Sequence, residues 1–474
     1  MKKTSAIAAG LLLGTAVALP TFSGVANAAA AAPKAGAACP TLGKVAGALT
    51  CAKDGRKRVW KAGAPVTTAA PAATPAAGAA PAPASAPAAA AGLKAVPGFD
   101  GKTIVVGNIT SKTNASWGAL SRGIAASLES QFKAVNAKGG IGGKYPIKIE
   151  EAETNYDPNI AVSKFNETKD KVVMYASALG TPINEVLLPL YEQNKMVASP
   201  GSLDAKWTQK KNMIPILSSY QVQAINGVAY YLDANKGKTI CAVSRQDAYG
   251  ETGTEGVKFA QSKLGFNLGT IESVPASQTD FTATVLALKG KTCDAVYLTT
   301  GPAQAVALVV QGSQNGFEPR WIMMSPTFND KLVSPAVSPL FEKLVWMSGD
   351  GAEWNDPAVP GMKDLIAGLK GAGYDNYVAA PDTGLIWGYA QAKTVIAVHE
   401  KAVANGDLSR DGILAAASGI GTTDLGGIGA SVDLKLRTPA PKNSIFKVNN
   451  SKQLSLELVA KEYGSPIAAQ YRKQ

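Results

Sequence analysis

Short apolar segments alternate with longer amphipathic segments from Gly101 onward, and this alternation constrains the fold more than any other feature of the sequence. The segments TIVVGNI and KTICAVSR suit buried strands, whereas SRGIAASLESQFKAVNAKG repeats apolar residues at helical spacing. Alternating strands and helices build parallel sheets that are covered by helices. Because two such series follow each other along the chain, we expect an α/β fold of two lobes with a cleft between them.

The net charge of +12 suggests nucleic-acid binding only until it is located. Residues 1–100 carry ten of the 47 basic residues but only two of the 35 acidic ones, which leaves 37 against 33 for the rest of the chain. A surface that neutralises phosphates needs clustered cations, and the large body shows no such stripe. We therefore expect no nucleic-acid partner. The length of 474 residues gives room for two lobes and accessory segments.

His399 is the only histidine, and this limits the chemistry. A Ser-His-Asp or Cys-His site would have to use it. Apolar residues recur around it at helical spacing, and we interpret it as a surface residue near a helix end. Cys39, Cys51, Cys241 and Cys293 show no CxxC spacing, which argues against a zinc site. We expect no enzyme activity, no cofactor and no metal.

The N-terminus has the parts of a secretory signal peptide. Lys2 and Lys3 precede an apolar run, and a small-x-small cleavage site ends at Ala28, so residues 1–28 are predicted to be removed on export. An uncleaved anchor is the alternative, but this apolar run is short. No later run reaches the ~18 to 20 apolar residues of a membrane span. We expect an exported protein, in the periplasm or cell envelope, without a transmembrane span.

Two accessory segments precede the lobes. Residues 29–61 form a basic module in which Cys39 and Cys51 bracket a glycine-containing turn, and an oxidising compartment favours a disulfide between them. The module is either a cell-wall or anionic-polymer contact or a solvated basic tail. Residues 62–97 are rich in alanine and proline, and prolines at this density favour extended chain, so this segment is predicted to be a linker.

The stretch NAKGGIGGKYPIKIEEAETNYDP, residues 136–158, resembles a signature of the branched-chain amino-acid-binding family of extracytoplasmic solute-binding proteins, which serve ABC importers. Further matching segments follow in the family's order: ASP, DAYG, TDF, DAVYLTTGPAQAVAL and QNGFEPRWI. The resemblance covers roughly residues 101–440. It implies the type I periplasmic binding protein fold, in which two Rossmann-like lobes with parallel sheets are joined by three crossovers and hold a ligand between them. Lobe 1 would comprise residues 101–220 plus 349–429, and lobe 2 residues 221–348 plus 430–474.

The resemblance also implies where a ligand carboxylate would be held. Family members use a hydroxyl and backbone amides at positions that correspond here to Thr181, Gly201, Ser202 and Leu203. Leu203 stands where a threonine is common, so one hydroxyl is missing unless Ser202 replaces it. Thr181 and Ser202 as plain helix caps is the alternative, because a cap can also serve an anion.

The same resemblance departs from the family at the amine end of an amino-acid ligand. Tyr220 and Ser325 stand where the family has acidic residues. A buried ammonium without a carboxylate is costly, so either another acid such as Asp247 swings in or the ligand has no ammonium. Trp117, Tyr220 and Tyr249 correspond to pocket-wall positions, with interior packing as the alternative. Aromatic walls favour a planar or apolar ligand body.

These expectations point to a solute-binding protein that delivers a small organic ligand to ABC permease subunits. The ligand would be an amino acid, or a carboxylate or amide with an apolar or aromatic body. A ligand-sensing receptor of the same fold and an envelope-attached binding protein are the alternatives. Cys241 opens the first strand of lobe 2 and Cys293 precedes the third. Since these strands are neighbours in a doubly wound sheet, the two cysteines form either a disulfide or two buried thiols.

Overall fold

The computed structural model describes residues 37–38, 45–46, 49–54, 57–62 and 93–472. The chain divides into two compact units, Met1–Ala86 and Pro87–Gln474. In the first unit, an antiparallel sheet is formed by strands β1 (Val45–Ala46), β2 (Leu49–Asp54) and β3 (Lys57–Ala62). The predicted signal peptide, Cys39 and most of the predicted linker lie outside the described residues. The predicted Cys39–Cys51 disulfide therefore stays a prediction.

The second unit alternates strands and helices, as the sequence predicts. Its strands are β4 (Ile104–Thr110), β5 (Ile147–Glu153), β6 (Tyr175–Leu179), β7 (Ala198–Gly201), β8 (Thr239–Arg245), β9 (Asn267–Val274), β10 (Ala295–Thr299), β11 (Arg320–Met324), β12 (Val345–Gly349), β13 (Asn443–Val448) and β14 (Leu456–Tyr463). Its helices are α1 (Gly118–Asn136), α2 (Pro158–Thr168), α3 (Thr181–Gln193), α4 (Tyr220–Ala234), α5 (Ala248–Leu264), α6 (Thr282–Gly290), α7 (Pro302–Gln314), α8 (Ser338–Leu344), α9 (Pro360–Gly371), α10 (Asp375–Ala379), α11 (Gly384–Ala404) and α12 (Arg410–Gly419).

Two sheets define two lobes, which confirms the predicted α/β architecture. Lobe 1 has the parallel sheet β5-β4-β6-β7, and lobe 2 has the sheet β14-β13-β12-β11-β10-β8-β9. Beside its parallel strands, the sheet of lobe 2 carries β13 and β14, which pair antiparallel at its edge. These two strands are joined by a short connection, which suits a hairpin, whereas parallel neighbours need a long crossover.

The burial of the strands explains which of them are mainly apolar in sequence and which carry several charged residues. Every residue of β6 and β8 is buried, since strands inside a parallel sheet are covered by helices on both faces. The edge strand β5 is partly exposed and carries charged residues. Helix α2 begins at Pro158, where the Asp157 side chain accepts hydrogen bonds from the amides of Asn159 and Ile160.

Asp350 ties together the three segments that connect the lobes. It follows β12, and one of its carboxylate oxygens accepts hydrogen bonds from the amide of Ser218, at 2.9 Å, and from the Ser218 hydroxyl. Its other oxygen accepts from the amide of Ala430, at 3.1 Å. Ser218 lies before α4 and Ala430 before β13, so one side chain joins all three crossovers. Burial raises the pKa of Asp350 to about 6, although these hydrogen bonds favour the charged form.

Lobe 2 contains the predicted disulfide between Cys241 and Cys293. Cys241 lies in β8 opposite Val296 of β10, and Cys293 precedes β10 by two residues. The Cα atoms of the two cysteines are 5.7 Å apart, within the usual range for a bridge. The alternative of two buried thiols is wrong. No helix within the described residues is both long enough and apolar enough to cross a membrane.

The interpretation of His399 as a surface residue is wrong. Its side chain is completely buried in α11, with Nδ1 2.8 Å from the carbonyl oxygen of Val395. Helix α11 is packed between α1, α12 and the sheet of lobe 1. Several faces of the helix are therefore buried, including the one that carries His399. Burial lowers the pKa of His399 to about 4, which keeps the imidazole neutral at pH 7.

Candidate functional site

Aromatic rings from both lobes meet where the parallel strands end. Trp117 precedes α1 in lobe 1 and stacks on Tyr156, with ring centroids 5.4 Å apart and an interplanar angle of 19°. Tyr249, in the first turn of α5 in lobe 2, contacts Trp117 edge-on at 5.6 Å. Tyr249 also contacts Tyr220 at 5.2 Å. The three predicted wall residues Trp117, Tyr220 and Tyr249 therefore belong to one cluster that bridges the lobes.

Arg245 adds a buried positive charge to this cluster. It ends β8, is only 8% exposed, and its guanidinium carbon lies 5.4 Å from the ring centroids of both Trp117 and Tyr156. Such placement over aromatic faces is attractive because the ring quadrupole is negative there. Its Nε and Nη2 atoms both donate to one carboxylate oxygen of Asp247. The cleft thus presents a cation and aromatic surfaces together.

Asp247 is held in place by two partners. Besides pairing with Arg245, it caps α5 by accepting a hydrogen bond from the amide of Gly250 at 3.0 Å. An approach of Asp247 to a ligand ammonium would break both arrangements. The structure therefore gives no support to the alternative in which Asp247 replaces the family's acidic residue.

Thr181 and Ser202 form a buried pair of hydroxyl groups in lobe 1. Their oxygens are 2.7 Å apart, and the Ser202 oxygen also accepts a hydrogen bond from Trp207 Nε1 at 3.0 Å. One hydroxyl hydrogen is used between the two side chains, whichever of them donates. The second hydrogen has no acceptor within the described part of the chain, so it is the group that a ligand oxygen would use.

Gly201 and Leu203 are the sequence neighbours of Ser202 and hold its backbone in position. The carbonyl of Gly201 accepts a hydrogen bond from the amide of Gly180, at 2.9 Å, and a Cβ atom on Gly201 would lie 2.7 Å from the Cα of Leu179. Leu203 is buried in the core, and its carbonyl accepts from the amide of Tyr220 at 2.8 Å. Both residues therefore fix the chain beside Ser202, and Leu203 contributes no polar side chain.

Tyr220 and Ser325, the residues that the resemblance places at the family's acidic positions, are uncharged and buried. Tyr220 begins α4 and contacts Trp387 as well as Tyr249, and burial raises the pKa of its phenol well above the ordinary value. Ser325 follows β11, and its amide donates to Gln223 Oε1 at 3.2 Å. Its buried hydroxyl has no hydrogen-bond partner within the described residues. Ser325 lines a crevice beside the crossovers, together with Asp350 and Trp387.

Three residues of this region are absent from the sequence prediction: Tyr156, Arg245 and Trp387. Asn155 and Tyr156 both adopt positive φ angles, 50° and 64°, which are uncommon for side chains of this kind and concentrate at functional sites. The Tyr156 ring lies against Gly180, where a Cβ atom would come within 2.7 Å of it. Arg245 carries a sequence signal, because a charge at the carboxyl end of a buried strand is where such sheets place their sites.

Within the described residues, no group of three or more His, Cys, Asp or Glu side chains is arranged to hold a metal ion. Burial raises the pKa of Tyr156 to about 12 and that of Tyr249 well above its ordinary value, so both phenols are neutral. The site is therefore an aromatic surface that holds the Arg245–Asp247 ion pair, next to a hydroxyl pair.

The sequence matches the model of the periplasmic binding protein family over residues 103–451. Among curated proteins, the Leu/Ile/Val-binding protein homolog 1 of Brucella melitensis biotype 1 is 23% identical over 326 residues, which are 66% of this chain and 83% of that protein.

Solved structures show the same fold. The chain resembles a fatty acid ABC transporter substrate-binding protein from Thermomonospora curvata with a TM-score of 0.74 and 26% identity, covering 80% of this chain and 97% of that one. It also resembles a branched chain amino acid ABC transporter from Thermus thermophilus, solved with bound valine, with a TM-score of 0.68 and 15% identity. That match covers 78% of this chain and 98% of the other.

Proposed function

We propose, from the premise that this chain belongs to the periplasmic binding protein family, that it is an exported solute-binding protein for a carboxylate or amide with an apolar or aromatic body. The family match spans residues 103–451, which include all strands of lobe 1 and every strand of lobe 2 except β14. The ligand would lie between the lobes and be handed to the permease subunits of an ABC importer. The periplasm or the cell envelope is the compartment we propose.

The observation that carries the proposed ligand class is the placement of Arg245 over Trp117 and Tyr156. Arg245 is paired with Asp247, but a guanidinium has five N–H donors, so a ligand carboxylate can accept from those that Asp247 leaves unused. An apolar or aromatic body suits the indole and phenol faces. The unused hydroxyl hydrogen of the Thr181–Ser202 pair supplies one more donor for a ligand oxygen. Tyr220 and Ser325 supply no negative charge for an ammonium.

Both structural relatives are described with an acid as ligand, but only one of these acids, valine, carries an amine. The Thermomonospora curvata protein is described as a fatty acid binder, and the Thermus thermophilus structure contains valine. A fatty acid has a carboxylate without an ammonium. The uncharged Tyr220 and Ser325, together with an Asp247 that is already engaged, favour this type of ligand over a zwitterion.

Closure of the lobes follows from where these groups lie. Trp117 and Thr181 belong to lobe 1, whereas Arg245 and Tyr249 belong to lobe 2. A ligand that contacts both sets favours the closed arrangement by its differential affinity for it. Three crossovers joined at Asp350 make the hinge. The proposal includes no catalytic step, because the one histidine is neutral and buried in α11.

Titration calorimetry with benzoate, hexanamide and leucine tests the proposed ligand class. We expect benzoate and hexanamide to bind more tightly than leucine, and Trp117→Ala to weaken benzoate binding by ~1 to 3 kcal/mol through lost aromatic contact. Trp346→Ala is the matched control, since Trp346 lies in β12 against Arg320 and is half-buried. Leucine binding without any response to benzoate or hexanamide would refute the proposed class and leave the transport role standing.

The basic module, residues 29–61, has a proposed function of its own. We propose that this basic module contacts the cell wall, as its exposed Lys57 and Arg58 permit. Pull-down of a peptide of residues 29–62 on isolated cell wall tests the proposal. Retention that salt abolishes supports an ionic contact, and no retention at low salt refutes it.

A further inference from the structure

A buried hydroxyl group without a partner lies beside Arg245, at the end of the neighbouring strand. Thr300 directly follows β10 and is completely buried, and its Oγ1 atom has no hydrogen-bond partner within the described residues. Strands β8 and β10 pair in parallel with Thr299 opposite Ser244, so the next residues, Thr300 and Arg245, lie side by side at the carboxyl edge of the sheet. A buried hydroxyl that is left unpaired costs free energy, so its presence at this edge calls for an explanation.

The direction of the side chains separates Thr300 from the residue before it. The side chains of Ser244 and Thr299 both point to α5, since Ser244 Oγ lies 2.7 Å from Thr254 Oγ1 and a Cβ atom on Gly253 would lie 1.7 Å from Thr299 Oγ1. Successive side chains of a strand point to opposite faces of the sheet. Thr300 and its neighbour on β8 therefore point away from α5, on the same side as each other.

Thr300 is linked to the aromatic cluster through Thr327. The Thr327 hydroxyl oxygen lies 3.1 Å from the carbonyl oxygen of Thr300 and 2.7 Å from the hydroxyl oxygen of Tyr249. The residue after Thr300 faces lobe 1, because a Cβ atom on Gly301 would lie 3.8 Å from Ser116 Oγ. Thr300 therefore lies between the lobes, in the region of the candidate site.

Helix α7 gives this region a positive potential. The helix begins at Pro302, two residues after Thr300, and its N-cap residue is Gly301, which has no side chain to accept from the first amides. The partial positive charge of a helix N-terminus favours an anion, as does the guanidinium of Arg245. The Thr300 hydroxyl therefore lies where an anionic oxygen is favoured from two directions.

We infer that Thr300 binds the ligand, by donating its hydroxyl hydrogen to the same carboxylate that accepts from Arg245. This inference rests on the proposed function and names the residue that helps the site to select an acid over the neutral amide of the same shape. A carboxylate has two oxygens and about four acceptor positions, so it can accept from lobe 2 and from the Thr181–Ser202 pair of lobe 1 together.

Both lobes reach this carboxylate because one aromatic ring lies between their donors. The Tyr156 ring lies against Gly180, the residue before Thr181, and its centroid is 5.4 Å from the guanidinium carbon of Arg245. An amide has a single oxygen, and its NH₂ group would face the donors of one lobe. The carboxylate therefore joins the lobes, and its amide does not.

Titration calorimetry of the full chain with benzoate and benzamide, which have the same shape, tests this inference. Thr300→Val removes the hydroxyl and keeps the size of the side chain, and we expect it to weaken benzoate binding at least about tenfold. Thr300→Ser keeps the hydroxyl and should stay within about threefold of the parent protein. Benzamide should bind the parent protein at least about tenfold more weakly than benzoate, and Thr300→Val should reduce this ratio. Equal affinities of the parent protein for benzamide and benzoate would overturn the inference.

Thr299→Val is the matched control, because it removes another buried hydroxyl without a partner in the described chain, one residue away and on the face toward α5. Urea unfolding without ligand should show the same small change for both valine variants, and only Thr300→Val should change benzoate binding. Unchanged benzoate affinity in Thr300→Val would overturn the inference. Equal losses of affinity in both valine variants would also overturn it, since the packing of the strand end would then explain them. If Thr300→Val does not fold, Thr300→Ala must show the loss.

The outcomes also separate this inference from the proposed function. If benzoate binds and Thr300→Val has no effect, the proposed ligand class stands and the role of Thr300 is wrong. If hexanamide binds and benzoate does not, the ligand class also stands and the inference fails. If neither compound binds the parent protein, the proposed ligand class fails and the role of Thr300 fails with it.

Discussion

Replacing Asp350 by asparagine keeps the size of the side chain and removes its charge. In the protein, the two carboxylate oxygens accept from Ser218 on one side and from Ala430 on the other. Asparagine has one oxygen and one NH₂ group, so the NH₂ group must face a donor at one of the two crossovers. The substitution therefore breaks the tie at one crossover and also removes a group that titrates near neutral pH.

The structure gives the sign and size of the pH effect. Burial raises the pKa of Asp350 from 3.8 to about 6, so the folded protein binds this proton more tightly than the unfolded chain. The associated stability is fully present below about pH 4 and is lost as the pH rises through about 6. At ~1.4 kcal/mol for each unit, the change between pH 4 and 7 is about 2 to 3 kcal/mol. Asp350→Asn should lose this dependence.

Urea unfolding of both proteins at a series of pH values measures this difference. His399 acts in the opposite direction, because its lowered pKa removes stability as the pH falls from about 6.5 to about 4, but it does so in both proteins and cancels. Asp382→Asn is the matched control, since burial raises the pKa of Asp382 to about 6 as well, but its carboxylate accepts a local hydrogen bond, from the amide of Gly384 two residues away. Parallel pH profiles for the parent protein and Asp350→Asn would refute the reasoning.

Two further predictions concern the disulfide and the hydroxyl pair. Replacing Cys241 and Cys293 together by serine should lower the free energy of unfolding by ~4 kcal/mol on the chain-entropy model for a bridge that spans 52 residues; peptide mapping that finds both thiols free in the exported protein would contradict the bridge. Thr181→Ala should weaken benzoate binding by ~1 to 3 kcal/mol, because a ligand oxygen loses its donor; an unchanged affinity in calorimetry would show that the hydroxyl hydrogen does not serve the ligand.

The strands and helices of the second unit could be predicted because their signals are local. KTICAVSR reads as a buried strand, and the structure has β8 there from Thr239 to Arg245. The hairpin β13–β14 was missed because no alternation of strand and helix extends to it. The burial of His399 on α11 could not be predicted from the sequence either. Glu400 and Lys401 follow His399 and suggest an exposed helix end, yet packing against α1 and α12 buries the imidazole.

Some residues of the candidate site could likewise be predicted from the sequence, and others could not. The family resemblance supplied Trp117, Tyr220 and Tyr249, and the structure brings them into contact although they are far apart in sequence. Tyr156 depends on a backbone conformation with positive φ, and no local pattern predicts it. Asp350 joins segments separated by 132 residues on one side, so its role follows only from the tertiary fold.

Small-angle scattering with and without saturating benzoate tests most directly the claim that the protein binds its ligand by closing two lobes. Trp117 of lobe 1 contacts Tyr249 of lobe 2, so a ligand must enter while the lobes are apart and then hold them together. Once calorimetry has established binding, the account predicts a smaller radius of gyration with benzoate than without it. Superimposable scattering curves at saturating benzoate would contradict closure.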